Sequence, residues 1–355
     1  MIGWYVHHQG HGHLHRAGRV ALELAARGEP VTGLSSLPRP VAWPGGWLQL
    51  ARDDEGGPPE DPTAHGRLHW VPRRDAGLAR RQAQVSAWIA REAPRVLVVD
   101  TSVEVALLAR LHGTPTVSVV PPGRREDEAH RLALEVADAV VGAWPPGWTE
   151  HLLPTTPRHV RDRVDAVGAV ARYATAAPTS PRERRPGPPR AVLLAGTGDA
   201  GPTPAQVQAA VADAPGWEWQ LLGRGLGGWV GDPWPLLRDT DVVVTHAGQN
   251  ALAEVAAARR PAVVLPRDRP FAEQRTTGAA LVRHGGLPVL VRERWPEQGW
   301  SQLLASAAAL DGAAWHAWND DGGAERLATV VQRVAGPPTA PARSPSHARA
   351  VEPSR

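Results

Sequence analysis

Two Rossmann-like, doubly wound α/β domains are predicted by three features of the sequence. Short β-branched apolar runs alternate with segments at helical spacing, the pattern of a parallel sheet wrapped by helices. The alternation is interrupted once, over 174–190, by a stretch dense in Pro, Arg, Ser and Thr that has no periodicity and reads as a linker. At 355 residues the chain is long enough for two domains, each with its own core. The predicted organisation is a first domain over 1–173, the linker, a second domain over 191–335, and a Pro-, Ser- and Arg-rich tail over 336–355 expected to be disordered.

Met1 to Val6 reads as the first strand. No basic segment precedes it and no cleavage site follows, so a signal peptide is not expected. The loop His7-His-Gln-Gly-His-Gly-His13 follows, and Leu14, Ala17, Ala21 and Leu24 then fall at helical spacing up to a stop at Gly28. Pro30–Leu34 and Trp47–Leu50 are weaker strand candidates. The polar, Gly- and Pro-rich stretch from Asp53 to Arg74 reads as a mobile surface loop, with Asp53 and Asp54 solvated. Gly77–Ala93 and Val103–Leu111 are predicted helices. Arg95–Asp100, a strand ending in a carboxylate, and Pro115–Val120 are predicted strands, and Ala137–Val141 and Val164–Gly168 close this half. After the linker, Ala191–Ala195, Glu218–Leu222 and Ala262–Leu265 supply strands, and Ala324–Ala335 a last helix. No 20–50-residue repeat suggests a solenoid.

Composition excludes several chemistries. There is no cysteine, hence no disulfide, thiolate metal site or thiol nucleophile. All 39 basic residues are Arg, and the absence of Lys removes Schiff-base and Walker-type enzymes. Thirty-six acidic residues nearly balance the arginines, leaving a formal charge of +3. Together with the abundance of Ala, Gly, Pro and Trp this fits a coding bias, so no nucleic-acid partner is expected. No apolar run has the length of a bilayer span. The expected location is the cytoplasm, including the inner face of the membrane, because arginine-rich surfaces favour anionic lipid.

The stretch from Asp241 to Glu254 carries the chemistry. Val242–Val244 suits a buried strand, Thr245-His246-Ala247-Gly248 a turn, and Gln249–Ala258 a helix with Asn250 as its cap. Gly248 thus stands where a strand hands over to a helix. Free amides and the positive end of the helix dipole favour an anion there. Glu254 lies about one turn inside, able to accept hydrogen bonds from hydroxyls of the same ligand. Phosphate beside a ribose-binding carboxylate is the arrangement for a nucleotide-sugar; the competing reading is a plain βα unit with Glu254 solvated. Arg260–Pro266 is another strand, followed by a polar loop and by Glu273-Gln274 at the start of a helix. Asp239-Thr-Asp241 enters a strand and reads as structural. Five histidines in nine residues, His7, His8, His11, His13 and His15, invite a zinc reading, but no carboxylate is interleaved and a glycine loop is a poor metal scaffold.

His246-Ala-Gly248, Glu254, Pro261, Pro266 and Glu273-Gln274, in that order, resemble the donor-binding region of GT-B glycosyltransferases, and specifically of family 28, the MurG-like enzymes. The resemblance implies two domains facing across a cleft, an NDP-sugar (most simply a UDP-sugar) bound as co-substrate by the second half, and no cofactor or metal. It implies that Gly12-His13 stands at the family's Gly-His at the start of the first helix, with His13 as general base toward the acceptor hydroxyl; His11 is the second candidate. Gly168-Ala-Val-Ala-Arg172 is similar to a Gly-Asn-Pro-Val-Arg segment whose arginine meets the donor phosphate, though the Asn and Pro are missing. Gly196-Thr197-Gly198 matches a loop packed on the diphosphate, and Trp229-Val230 the place where main chain holds the base. Gln274 with Glu273 would contact sugar hydroxyls, Glu254 the ribose diol, and His246 phosphate or sugar. The loop before His13 is bulkier than in MurG-like enzymes, which leaves the acceptor open.

An inverting hexosyl transfer to a hydroxyl is the reading these residues favour. A UDP-GlcNAc 2-epimerase-like enzyme shares the implied fold, but Ser118-Val-Val-Pro-Pro-Gly-Arg124 lacks the carboxylate such enzymes carry there, leaving Asp100 and Glu104 as its only support. A non-catalytic nucleotide-sugar-binding partner is the third alternative.

Overall fold

The computed structural model describes residues 1–176, 187–196, 201–223, 226, 228 and 230–337. Thr197, Gly198 and Trp229, most of the expected linker, and most of the expected tail lie outside the described residues.

The first half forms one seven-stranded sheet from β1 (Ile2–Val6), β2 (Val31–Ser35), β3 (Trp47–Gln49), β4 (Val96–Asp100), β5 (Thr116–Val119), β6 (Ala139–Gly142) and β7 (Val164–Ala166). Their order is β3-β2-β1-β4-β5-β6-β7, with every pairing parallel. The second half forms a five-stranded parallel sheet from β8 (Arg190–Leu194), β9 (Glu218–Leu222), β10 (Val242–Thr245), β11 (Ala262–Val264) and β12 (Val289–Val291), ordered β12-β11-β10-β8-β9. The strand order reverses beside β1 in one sheet and beside β8 in the other. These are the switch points at which the carboxyl ends of strands leave a crevice for ligand.

Local chemistry explains the connecting helices. Asp75, Ser102 and Asp127 each cap a helix by accepting from the backbone three residues on. Thr203 and Gln206 form a reciprocal capping box before Pro204–Asp213, with proline where a helix tolerates it. Asn250 is not the cap expected of it: the helix Gln249–Ala257 is entered through Gly248, with no side-chain cap. Its first-turn amides are therefore open to a ligand. β12, only three half-buried residues long at a sheet edge, had too short an apolar signal to be read from sequence.

The halves share packing. Trp144, Trp148 and Leu152 from the first half join Val243, Leu252, Trp315 and Trp318 in one continuous apolar cluster. Trp148 meets Trp318 edge to face at 4.9 Å and stacks on His284 at 3.8 Å. The last helix, Gly323–Ala335, belongs to the second domain by sequence but packs in the first core. Its Leu327, Ala328 and Val331 are wholly buried with Val20, Leu24 and Val98. Leu327→Ala should therefore cost about 2–5 kcal/mol through the cavity it leaves. It should lower the denaturant midpoint of the N-terminal core; an unchanged midpoint would show that this helix contributes nothing to it.

Candidate active site

A cavity of about 580 Å³ lies between the two sheets, walled by both halves. On the first side, β1 pairs with β4 in a register that sets Val6 beside Asp100, so the loop after β1 passes directly over Asp100. That loop ends at Gly12, the first residue of a helix running to Ala26. The two halves approach closely here: a Cβ on Gly12 would fall 2.2 Å from the Asn250 Nδ2 of the opposite half. One residue on, His13 Nδ1 lies 2.8 Å from Asp100 Oδ1. Arg16, one turn further, donates to the same carboxylate at 2.6 and 3.1 Å and to Gln249 Oε1 across the cleft at 3.3 Å.

Asp100 is completely buried. Burial alone would raise its pKa, but the charge of Arg16 and the bonds from His13 and Arg16 hold it well below the ordinary carboxylate range. An ionised carboxylate only accepts hydrogen bonds, so His13 donates from Nδ1 to Asp100, and in the neutral form of the ring the lone pair lies on Nε2. The His13 side chain remains about a quarter exposed, on the cavity wall.

The other loop histidines do not gather round one point. His8 turns to Asp54 (3.1 Å), His15 lies 3.9 Å from Glu254, and His11 opens the helix at the exposed rim. The histidine-rich stretch thus distributes its rings among separate partners, and His8 joins Asp53 and Asp54 in a cluster whose ligand atoms lie within 4.8 Å of one another.

On the second side, Gly248 is needed for close approach, since a Cβ would lie 2.6 Å from the His246 ring. The His246 Nδ1 accepts from Gly248 N at 3.0 Å. Burial pushes this imidazole down to about 3, with Arg267 and Arg269 adding to the effect. It is therefore neutral, with its hydrogen on Nε2, close to Gly196, whose φ of +72° suits glycine. Glu254 is buried, and its Oε1 accepts from Arg172 Nε at 3.0 Å. The two residues expected at separate donor groups, ribose and phosphate, are thus brought into direct contact. Gln274 is buried, with Oε1 accepting from Arg267 N at 3.0 Å, while Glu273 and the exposed Val230 also line the cavity. Arg267 and Arg269, not singled out from the sequence, stand beside His246 and make this wall cationic.

A second cavity, of about 540 Å³, opens within the first half. It adjoins the first through His7, Thr101, Pro121 and Phe271. Among the described residues Phe271 is the lone contribution of the second half to it, in the left-handed conformation (φ 57°), packed on His130 at 4.6 Å. The 53–74 segment helps to wall this cavity, and Asp53, expected to be solvated, is only 7% exposed and ion-paired with Arg81 at 2.5 Å. The sequence could not show that pair, because Arg81 lies in a helix 28 positions away, inside what reads as an ordinary polar face.

Residues 234–304 match the glycosyltransferase family 28 C-terminal domain. No curated protein matches the chain by sequence. Among solved structures, the glycotransferase of kitacinnamycin is similar with a TM-score of 0.68 and 17% identity, over 94% of this chain and 98% of that one. Arabidopsis thaliana UGT89C1 complexed with UDP gives 0.62 and 13%, over 94% of this chain and 99% of that one. Acinetobacter baumannii MurG gives 0.58 and 16%, over 94% and 99%. The chain has the two-domain GT-B glycosyltransferase fold, and residues 234–304 within its second half match the family 28 C-terminal domain.

Proposed function

We propose that the protein is an inverting glycosyltransferase that moves a hexosyl group from an NDP-sugar, most simply a UDP-sugar, to a hydroxyl acceptor. The observation that carries this reading is the His13–Asp100 pair, set across one cavity from the open helix start at Gly248. The acceptor oxygen attacks the anomeric carbon as the bond to the diphosphate breaks on the opposite face, which inverts the centre. His13 Nε2 takes the hydroxyl proton, and Asp100 holds the ring in the required tautomer. The departing diphosphate carries new negative charge. The first-turn amides after Gly248 and the guanidinium groups of Arg172, Arg267 and Arg269 meet that charge with preorganised dipoles and cations. On this reading Arg172 exchanges part of its contact with Glu254 for phosphate, freeing a Glu254 oxygen for the ribose diol. No helix among the described residues is long and apolar enough to cross a membrane.

A melting-temperature panel with UDP, TDP, GDP and UDP-sugars tests the donor half. A nucleotide at a hundredfold excess over its Kd should add about 2.7 kcal/mol of stability. The shift should vanish in Glu254→Ala and survive in part in Glu254→Gln, which keeps one acceptor oxygen. A folded wild-type protein that no nucleotide stabilises would sink the transferase reading.

A further inference from the structure

We infer that the acceptor is cationic: an apolar molecule of two or more rings that carries a basic amine, seated in the N-terminal cavity with its ammonium against Asp53. This rests on the transferase reading and names the class of acceptor. The cavity is walled by Tyr5, Leu68, Trp70, Val99, Leu134 and Phe271, and its size suits a drug-sized ligand. Three carboxylates line it, Asp53, Glu104 and Asp127, against one guanidinium, Arg81. The donor cavity has the opposite character, with Arg16, Arg125, Arg172, Arg267 and Arg269 facing Glu254 and Glu273. The cleft is therefore polarised, with an anion favoured at one end and a cation at the other.

The three carboxylates are not equivalent. Glu104 is occupied by the backbone N–H groups of His69 and Trp70 and by Ser102 Oγ. Asp127 accepts from the rings of His69 (2.9 Å) and His130 (2.5 Å). Asp53 binds Arg81 through Oδ2, but its Oδ1 is buried without a hydrogen-bond partner. The nearest ring, His8, stands 3.8 Å from it and is turned to Asp54. Gln82 Oε1, on the same cavity, is a second buried acceptor without a partner, and Arg81 Nε is a buried donor without one. Buried polar atoms are normally hydrogen-bonded, so two acceptors to one donor describe a ligand group rich in N–H. His7 and His130 add no positive charge: burial and neighbouring cations push them down to about 3 and about 4. An ammonium would also lie among aromatic faces.

Spacing sets the size. His7 lines both cavities, its ring 6.0 Å from that of His13 and 5.1 Å from that of His8, which contacts Arg81 at 3.1 Å. The amine end and the reacting hydroxyl are thus separated by two stacked imidazoles, too far for a small amino alcohol.

The test uses para-hydroxybiphenyl carrying, on its far ring, an aminomethyl, a methyl or a carboxyl group. Titration calorimetry is run on the full chain saturated with UDP, whose own binding is measured first. The aminomethyl probe should bind at least about tenfold tighter than the methyl probe and the carboxyl probe weakest, since a charge-assisted hydrogen bond is worth about that much. Asp53→Asn should abolish most of the preference. Because that change strands Arg81, the charge-neutral pair Asp53→Asn with Arg81→Gln is measured beside it, with the same loss expected. Equal binding of the three probes, no binding of the amine, or a preference that survives both variants would overturn the inference while UDP binding leaves the transferase reading standing. Failure of UDP to bind would overturn both.

Discussion

Replacing His13 by alanine is expected to lower kcat for glycosyl transfer by about 10²–10⁴, the usual range for a lost general base. UDP affinity should be nearly unchanged. The reason for the split lies in what His13 touches. Its ring donates to Asp100 on the first half, while His246, Gly248 and Glu254 sit on the second. Removing the imidazole deletes the proton acceptor without emptying the donor wall. His11→Ala should have much the smaller effect, because His11 opens the same helix from the exposed rim and makes no side-chain cap there. Released nucleotide diphosphate measures both. If His11→Ala proves the more damaging, the base is misassigned. If neither variant loses turnover while donor still binds, neither histidine is the base; donor binding without turnover in the wild type would mean that the protein holds a nucleotide-sugar for another purpose.

The geometry of the second half of the cavity was legible in the sequence because strand, glycine turn and helix follow one another within a single stretch from Asp241 to Glu254. Local order there translates directly into geometry, and β10, the open turn and the helix stand where the pattern put them. His13 was legible for the same reason, as the residue after a glycine at a helix start. Its partner was not. Asp100 is 87 positions away, and only the parallel pairing of β1 with β4 brings the ends of the two strands together. A carboxylate closing an apolar strand was visible, but nothing local tells which loop will cross it. The Arg172–Glu254 contact, 82 positions apart, and the Asp53–Arg81 pair are of the same kind. Asp53 looked solvated because its neighbours are Asp54, Glu55 and two glycines; burial came from Arg81 and the wall opposite. The return of the last helix to the first core was also hidden, since an amphipathic helix does not say which sheet its apolar face will cover.

Asp100→Asn should be the most informative single change, because it separates two services of one carboxylate. The amide can donate to His13 Nδ1, which favours the tautomer with hydrogen on Nε2 and removes the free lone pair. A fall in kcat of about 10²–10⁴ is expected, with little change in UDP affinity. Asp100 also neutralises Arg16, itself 2% exposed, so the same change leaves a buried guanidinium without its counter-charge, at a cost of about 3–5 kcal/mol. The pH dependence carries the sign of this second service. The pKa of Asp100 is depressed in the folded chain relative to the usual 3.8. Its contribution is therefore complete above that value and is lost as the pH falls from there through the lower folded-state value. Asp100→Asn should accordingly destabilise the protein near neutrality and flatten its acid-unfolding limb. The pair Asp100→Asn with Arg16→Gln removes both charges and should recover most of the stability in chemical denaturation. Turnover should stay low, because the amide still presents the wrong partner to His13. Recovery of turnover along with stability would mean that Asp100 serves Arg16 alone and that another group orients the base.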